Sequence, residues 1–314
     1  MLSSELRYFL AVATTGSLSA ASQQLFVAVS AISRQVQRLE ERMGVSLFER
    51  HARGMILTDA GRILENHVRK SMMDLDAAVA EIQGLSAQHK TQISVGCTEG
   101  MAFDALPNLF ARFQQSHPET AFHLKVGSAQ QVSQMVRHGE VDIALQFAFA
   151  PEHGVEVLLS LPAPLLLLMA EDHPLAGNTV LLADLATYPL ALPEPTTTLR
   201  QLFDLSCRMQ GTYLEPTLCC SNFTTLYHYV LSTPQAVTAC SFYSVMYKCR
   251  QAPLRLAKLA MRQLEQRALQ VQIQSGHTLT YVQQAFIAMM QDEFYDAERY
   301  CDSLFESDES LTVS

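Results

Sequence analysis

The 314-residue chain lacks an uninterrupted apolar run of the roughly 18 residues that a membrane-spanning helix needs. Its greasiest stretch, Val155 to Ala170, is broken by Ser160, Pro162 and Pro164. The start, Met-Leu-Ser-Ser-Glu, has no basic-then-apolar leader, so neither membrane insertion nor export is expected, and the location is read as cytoplasmic. The seven cysteines are an odd number without a Cys-x-x-Cys pair, which fits a reducing compartment rather than a disulfide framework. Ten histidines show no His-x-x-x-His spacing and no Cys/His cluster, so no metal and no cofactor is expected. Nucleophile–base spacings and phosphate-binding loops are lacking too, so no catalytic residue is assigned and an enzyme is disfavoured. A basic excess is also missing. With 22 Lys/Arg against 31 Asp/Glu the chain carries −9, which as a single number argues against nucleic acid as a partner. What is present is apolar mass: 48 % hydrophobic residues exclude wholesale disorder, and the length suits two or three domains.

The charge is not evenly spread. Residues 1–70 hold nine Lys/Arg against six Asp/Glu, or +3, and the remaining 244 residues hold 13 against 25, or −12. A small basic module joined to a larger acidic one is the expected reading.

In the basic segment Leu6, Phe9, Leu10 and Ala13 form one helical stripe that Gly16 ends. Ser17 can cap a second helix, Leu18 to Leu25, in which Ala20 and Ala21 allow close approach of a neighbour. A third helix, Val29 to Met43, turns Ile32, Val36, Leu39 and Met43 inward. Its other face carries Ser30, Ser33, Arg34, Gln37 and Arg38, whose hydroxyl, amide and guanidinium groups suit base edges and phosphates. The pattern predicts a helix-turn-helix with the third helix in the major groove. After Gly44, Val45 to Arg50 alternates as a strand, His51 to Gly54 turns and Met55 to Leu57 returns, a wing with Arg50, His51 and Arg53 at its tip. A purely structural three-helix bundle with surface arginines is the competing reading.

Leu6-Arg7-Tyr8-Phe9, Gly16-Ser17-Leu18, Ala20-Ala21, Ser30 to Val36, Leu39-Glu40, Leu47-Phe48-Glu49-Arg50 and Leu57-Thr58-Asp59-Ala60-Gly61 follow one another in order. This series resembles the winged helix-turn-helix of LysR-type transcriptional regulators. The resemblance implies that Ser33 and Arg34 contact DNA from the recognition helix and that Arg53 reaches the backbone or minor groove. Positions 28–30 depart from the family's frequent Ser-Gln-Pro or Ala-Pro-Ser. Ala28 forfeits a capping hydroxyl, on the order of 1 kcal/mol, and Val29 replaces an amide by an apolar contact such as a thymine methyl.

From Asp59 to Ala87 no proline intervenes, Thr58 can cap the start, and Leu64, Val68, Met72, Leu75, Val79, Ile82 and Leu85 recur in steps of three and four. One apolar seam with charged flanks predicts a pairing helix, the alternative being a helix packed on its own domain. In the family such a helix makes a dimer that sets two recognition helices on an interrupted inverted repeat of double-stranded DNA. The resemblance further implies a dimer or tetramer and admits RNA polymerase as a partner.

The acidic remainder alternates strands near 93–96, 122–126, 141–145, 165–169 and 268–273 with helices carrying Leu106 to Phe113, Val132 to Arg137, Leu199 to Met209, Asn222 to Leu231 and Thr280 to Met290. This predicts an α/β architecture with largely parallel sheets. Two lobes with two crossovers, together with Val141 to Leu145 and His173-Pro174-Leu175, resemble the effector domain of the same regulators, which is similar to periplasmic binding proteins. The expected division is 1–58 winged helix-turn-helix (all-α with a β wing), 59–90 linker helix, 91–163 with 260–291 first lobe, 164–259 second lobe and 292–314 an acidic, fraying tail. Thr233 to Thr238 stands where the family has a glycine-rich loop.

Ligands of open α/β sheets bind beyond the carboxyl ends of strands, between lobes. Those ends point to Cys97, Thr98, Glu99, Ser128 and Phe147 in the first lobe and to Thr196, Thr197, Asn222 and Phe223 in the second, a set suited to a small polar or anionic effector. Thr98, Ser128, Thr196 and Asn222 read equally well as helix caps. Glu99 stands where it repels a carboxylate, and Arg200 is read as the nearby cation. The function this implies is an effector-responsive, sequence-specific transcription factor. A cysteine-based redox sensor of the same fold and an enzyme on the two-lobed domain are the alternatives. No Arg or Lys flanks Cys97, Cys219 or Cys220, so inert thiols are expected.

Overall fold

The structure, a computed structural model, describes residues 3–51, 54–84, 91–150, 152–177, 179–260 and 267–305. The chain divides into two compact units, residues 1–87 and 88–314, each with a core of its own.

In the first unit α1 (Ser4–Thr15), α2 (Leu18–Leu25) and α3 (Val29–Met43) close over Phe9, Val12, Ala21, Ile32 and Leu39. Ser3 and Ser17 accept from the N–H groups of Leu6 and Ala20 and so cap the first two helices. Ala28 precedes α3 without a side-chain cap, as its methyl group dictates. Met43, expected in the core, is 42 % exposed at the end of α3, and the buried stripe of the helix stops at Leu39. The wing is β1 (Phe48–His51) antiparallel to β2 (Gly54–Leu57), with Phe48 opposite Leu57 and Arg50 opposite Met55. It is shorter than the alternation from Val45 predicts. Glu40 Oε1 accepts from the N–H groups of Leu47 and Phe48 at 2.7 and 3.2 Å, which holds the strand's entry against α3 instead. Gly54 adopts φ 135°, and a Cβ there would stand 2.5 Å from the Gly16 carbonyl oxygen, so only glycine lets the wing dock on the end of α1.

Thr58 Oγ1 accepts from Gly61 N–H at 3.0 Å and donates to the Ser46 carbonyl at 2.8 Å, capping α4 (Asp59–Gly84) and tying it to the wing. The pairing seam expected along this helix divides in two. Val68 is buried and Leu64 half-buried on the core of the first three helices, so these two pack within the unit rather than between subunits. Arg69 reinforces this attachment, bonding Glu65 at 2.8 Å and Thr14 of α1 at 2.7 Å. Beyond it Met72, Leu75, Val79 and Ile82 are exposed, 38–67 %. Leu85 and the linker 86–90 lie outside the described residues.

The second unit holds two five-stranded sheets. The first lobe has the order β4 (Thr120–Val126), β3 (Thr91–Cys97), β5 (Ile143–Ala148), β12 (Ala268–Gln274), β6 (Val155–Pro162). The second has β11 (Leu254–Lys258), β7 (Leu166–Ala170), β10 (Val237–Cys240), β8 (Leu190–Pro193), β9 (Leu218–Cys220). The sheets are mixed rather than largely parallel. Strand β3 runs parallel to β4 and β5, whereas β12 is antiparallel to β5 and β6 because the chain returns from the second lobe from the opposite end. Similarly β8 is parallel to β9 and β10 while β7 is antiparallel to β10 and β11. Strands β7, β8 and β10 are buried on both faces, which is why they read as unbroken apolar runs.

Helices α5 (Glu99–Phe103), α6 (Ala105–Ser116), α7 (Ala129–Arg137), α8 (Thr198–Met209) and α9 (Phe223–Ser232) cover the sheets. The lobes share a core where Phe103 meets Phe223 at 5.3 Å and Tyr227 at 4.8 Å. The buried Asp104 carboxylate accepts from the N–H groups of Tyr247 and Lys248 at 2.8 and 3.0 Å, a second tie across the lobes. The expected acidic tail is instead the second half of α10 (Tyr281–Ser303). Phe294, Ala297 and Cys301 form a buried stripe at helical spacing, with the acids between them turned mostly outward. Residues 306–314 lie outside the described residues. Among the described residues no helix is long and apolar enough to cross a membrane, and no group of three or more side chains is arranged to hold a metal.

Candidate nucleic-acid interface and effector cavity

In the first unit the inward stripe Ile32, Val36 and Leu39 orients α3 so that Ser30, Arg34, Gln37 and Arg38 are exposed on its other side. Ser33 is half-buried at the edge of that face. Arg34 Nε donates to the Ser30 carbonyl at 3.2 Å, which leans the guanidinium toward the start of the helix. Arg42, one turn beyond Arg38, pairs with Glu5 of α1 at 2.6 Å. Arg50 is exposed on β1, and Arg53 lies outside the described residues. Val29, 41 % exposed, and Phe26, 94 % exposed with φ 54°, add an apolar edge that the charge pattern did not announce. A row of donors on one exposed helix face, rising about 1.5 Å per residue, has the form that enters a major groove.

The second unit contains a cavity of ≈ 380 Å³ between its lobes. Thr98, Glu99, Ser128, Phe147, Thr196, Thr197 and Phe223 line it, as their positions at strand ends require. Cys97 does not: as the last residue of β3 it is fully buried in the core, and burial pushes its thiol up to about 12. Asn222 does not either; its side chain accepts from Thr225 N–H and caps α9. Two of the lining hydroxyls are likewise engaged by their own helices. Ser128 forms a reciprocal cap with Gln131, and Thr197 accepts from Arg200 N–H while donating to the Glu194 carbonyl. Thr98 Oγ1 and Ser241 Oγ, by contrast, are buried with no hydrogen-bond partner among the described residues.

The cation of the cavity is not Arg200, which is held by Asp204 at 2.7 Å and the Pro193 carbonyl at 3.2 Å. It is Arg267, just ahead of β12 and 4 % exposed. Its guanidinium lies 3.8 Å over the Phe147 ring, with Nε on Thr198 Oγ1 at 3.0 Å and Nη1 on the Ala163 carbonyl at 3.2 Å. Burial pulls it down to about 9, which leaves it charged at neutral pH. Sequence distance hid this residue, since 119 positions stand between it and Phe147. A lone arginine ahead of an apolar strand was the one available signal. Glu99 is raised above the usual carboxylate range by burial, an effect opposed by hydrogen bonds from the Phe223 backbone and the Asn222 side chain.

Among the thiols Cys97, Cys207, Cys240 and Cys301 are buried, and burial raises each. Cys219 is exposed, and the fold brings Arg200 Nη1 to 3.9 Å from its sulfur, a neighbour that sequence adjacency did not offer.

Comparison with known proteins bears on both units. Residues 3–62 match the model described as a bacterial regulatory helix-turn-helix protein of the lysR family, and residues 86–295 the one described as a LysR substrate binding domain. The chain is 32 % identical over 210 residues to the transcriptional dual regulator GltC of Bacillus subtilis, covering 66 % of this chain and 70 % of that one. It is 31 % identical over 204 residues to the RuBisCO operon transcriptional regulator of Allochromatium vinosum, covering 64 % and 66 %. The matched stretch thus spans about three fifths to seven tenths of the curated relatives' own length. In fold it is similar to a full-length single-site variant of OxyR from Pseudomonas aeruginosa, with a TM-score of 0.63 at 20 % identity over 93 % of this chain and 94 % of that one. The recognition-helix unit and the two-lobed unit therefore carry the same assignment, and the chain belongs to the LysR family of DNA-binding transcriptional regulators with an effector-binding domain.

Proposed function

We propose that this regulator reads duplex DNA with α3 in the major groove, Ser30, Ser33, Arg34 and Gln37 facing bases and Arg38, Arg50 and Arg53 facing phosphates. The exposed donor face of α3 carries the reading, because its inward stripe leaves those side chains no other orientation. The exposed stripe Met72, Leu75, Val79 and Ile82 supports pairing of α4 with a second copy, giving a dimer or tetramer on an interrupted inverted repeat. A small polar or anionic effector in the cavity between the lobes shifts the arrangement of subunits and so the spacing of the recognition helices. RNA polymerase is the partner through which transcription responds, the location is cytoplasmic, and the cavity binds its effector without turning it over. Arg34→Ala is expected to lower affinity for a duplex selected by the full-length protein at least tenfold; an unchanged affinity and salt slope overturns the docking.

A second reading, thiol sensing on the same fold, is favoured by one observation, the exposed Cys219 beside Arg200. It fails if Cys219→Ser keeps the wild-type response of DNA binding to peroxide.

A further inference from the structure

Polar groups that have lost water and gained no protein partner mark where a ligand must supply one. Two such hydroxyls stand in the cavity between the lobes, beside a buried cation. Ser241 Oγ is buried in a residue only 1 % exposed, Thr98 Oγ1 is likewise buried and unbonded, and Arg267 brings a buried guanidinium. Among the described residues no carboxylate lies within ion-pair distance of Arg267, and Nη2 makes no hydrogen bond. A buried cation without a counter-ion is costly, and an anion arriving there removes the cost. Thr198, bonded to Arg267 Nε, opens the twelve-residue α8, whose first N–H groups add to the pull on an anion.

The same cavity has the opposite sign elsewhere. Glu99 and Glu194 also line it, and Arg267 is the one basic residue among the described lining. Burial raises Glu99, although the Phe223 backbone and the Asn222 side chain already hydrogen-bond to it, and a cation placed beside it favours its charged form. Two carboxylates against one guanidinium disfavour a dianion, and Phe147, Phe223, Leu199 and Val126 offer an apolar wall.

Resting on the reading of this cavity as the effector site, we propose that its ligand is an amino acid that is not itself acidic. Its carboxylate sits on Arg267 with Ser241, and its ammonium group faces Glu99. The two charged ends of such a ligand match the two signs of the cavity. An apolar or basic side chain then fills the remaining space.

The test is thermal unfolding and titration calorimetry of the full chain against the twenty common L-amino acids. For the best binder, the deaminated acid and the decarboxylated amine are added. Dicarboxylates and sugar phosphates complete the set. A neutral or basic amino acid is expected to raise Tm, with both truncated analogues at least tenfold weaker. Glu99→Gln is expected to bind the deaminated acid as tightly as the amino acid. Arg267→Gln, or Arg267→Lys should the glutamine variant fail to fold, is expected to erase the preference for a carboxylate. A best ligand that loses nothing on deamination, or a dianion that binds more tightly, overturns the amino-acid assignment while leaving an effector cavity. No binding by any of the three classes overturns both.

Discussion

Arg38 and Arg42 are exposed arginines four residues apart on one helix, yet only one of them should matter to DNA. Ser30 to Arg38 spans eight residues, or about 12 Å along the axis, close to the roughly 12 Å width of the major groove. With the start of α3 among the bases, Arg38 reaches the far phosphate wall, and it makes no ion pair among the described residues. Arg42, one turn further along, is already neutralised by Glu5 at 2.6 Å. Deleting one cation from a phosphate should flatten the dependence of log K on log salt by about 0.9, hence about 1.8 for a dimer. Between about 50 and 200 mM salt that slope difference changes the ratio of wild-type to Arg38→Ala affinity about tenfold. Fluorescence anisotropy of a labelled duplex, selected from a random pool by the full-length protein and titrated at four salt concentrations, measures it. Arg42→Ala should leave the slope alone. The reasoning is refuted if the two variants flatten the slope equally, or if Arg38→Ala leaves it unchanged.

The two halves of α4 should respond oppositely to substitution. Val68→Ala, in the core of the first unit, should cost about 2 kcal/mol and lower its unfolding midpoint while sedimentation shows the wild-type assembly. Val79→Asp should instead dissociate the assembly, and equal sedimentation of wild type and Val79→Asp would exclude pairing through this stripe. Alkylation at pH 8 should label Cys219 in the native protein, with Cys97 and Cys240 reacting only on unfolding, because burial holds both thiols protonated. The linkage has the same sign: Cys97 ionises near 9.0 unfolded and about 12 folded, so its contribution to stability is full below 9.0 and is lost as pH rises toward 12. Labelling of Cys97 as fast as Cys219 would contradict the burial.

Much of the first unit was legible because its signals are local. Caps Ser17 and Thr58, the stops at Gly16 and Gly44 and the stripe Ile32-Val36-Leu39 each act within a few residues. Where reading failed, a distant group had intervened. Leu64 and Val68 fit a pairing seam by spacing, but the core of the first three helices claims them. The acids of residues 292–302 suggested a solvated tail and masked the buried stripe Phe294, Ala297 and Cys301. Strand β12 shows the same competition. Gln270 and Gln272 alternate with apolar residues as if facing water, yet both are buried, Gln272 bonded to Gln146 at 2.9 Å and to Gln270 at 2.6 Å.

By itself the sequence determined the basic helix-turn-helix concealed in an acidic chain, the wing, the long helix and the two-lobed α/β remainder. Periodicity, capping and local charge specify these over short spans. Only the tertiary structure decided the sign and chemistry of the cavity. Arg267, Ser241 and Glu99 come from three separated segments, and the register that brings them together is set by packing of the sheets and the shared core. Whether a charge is buried beside an opposite charge or left waiting for one depends on that register, which no neighbouring residues record.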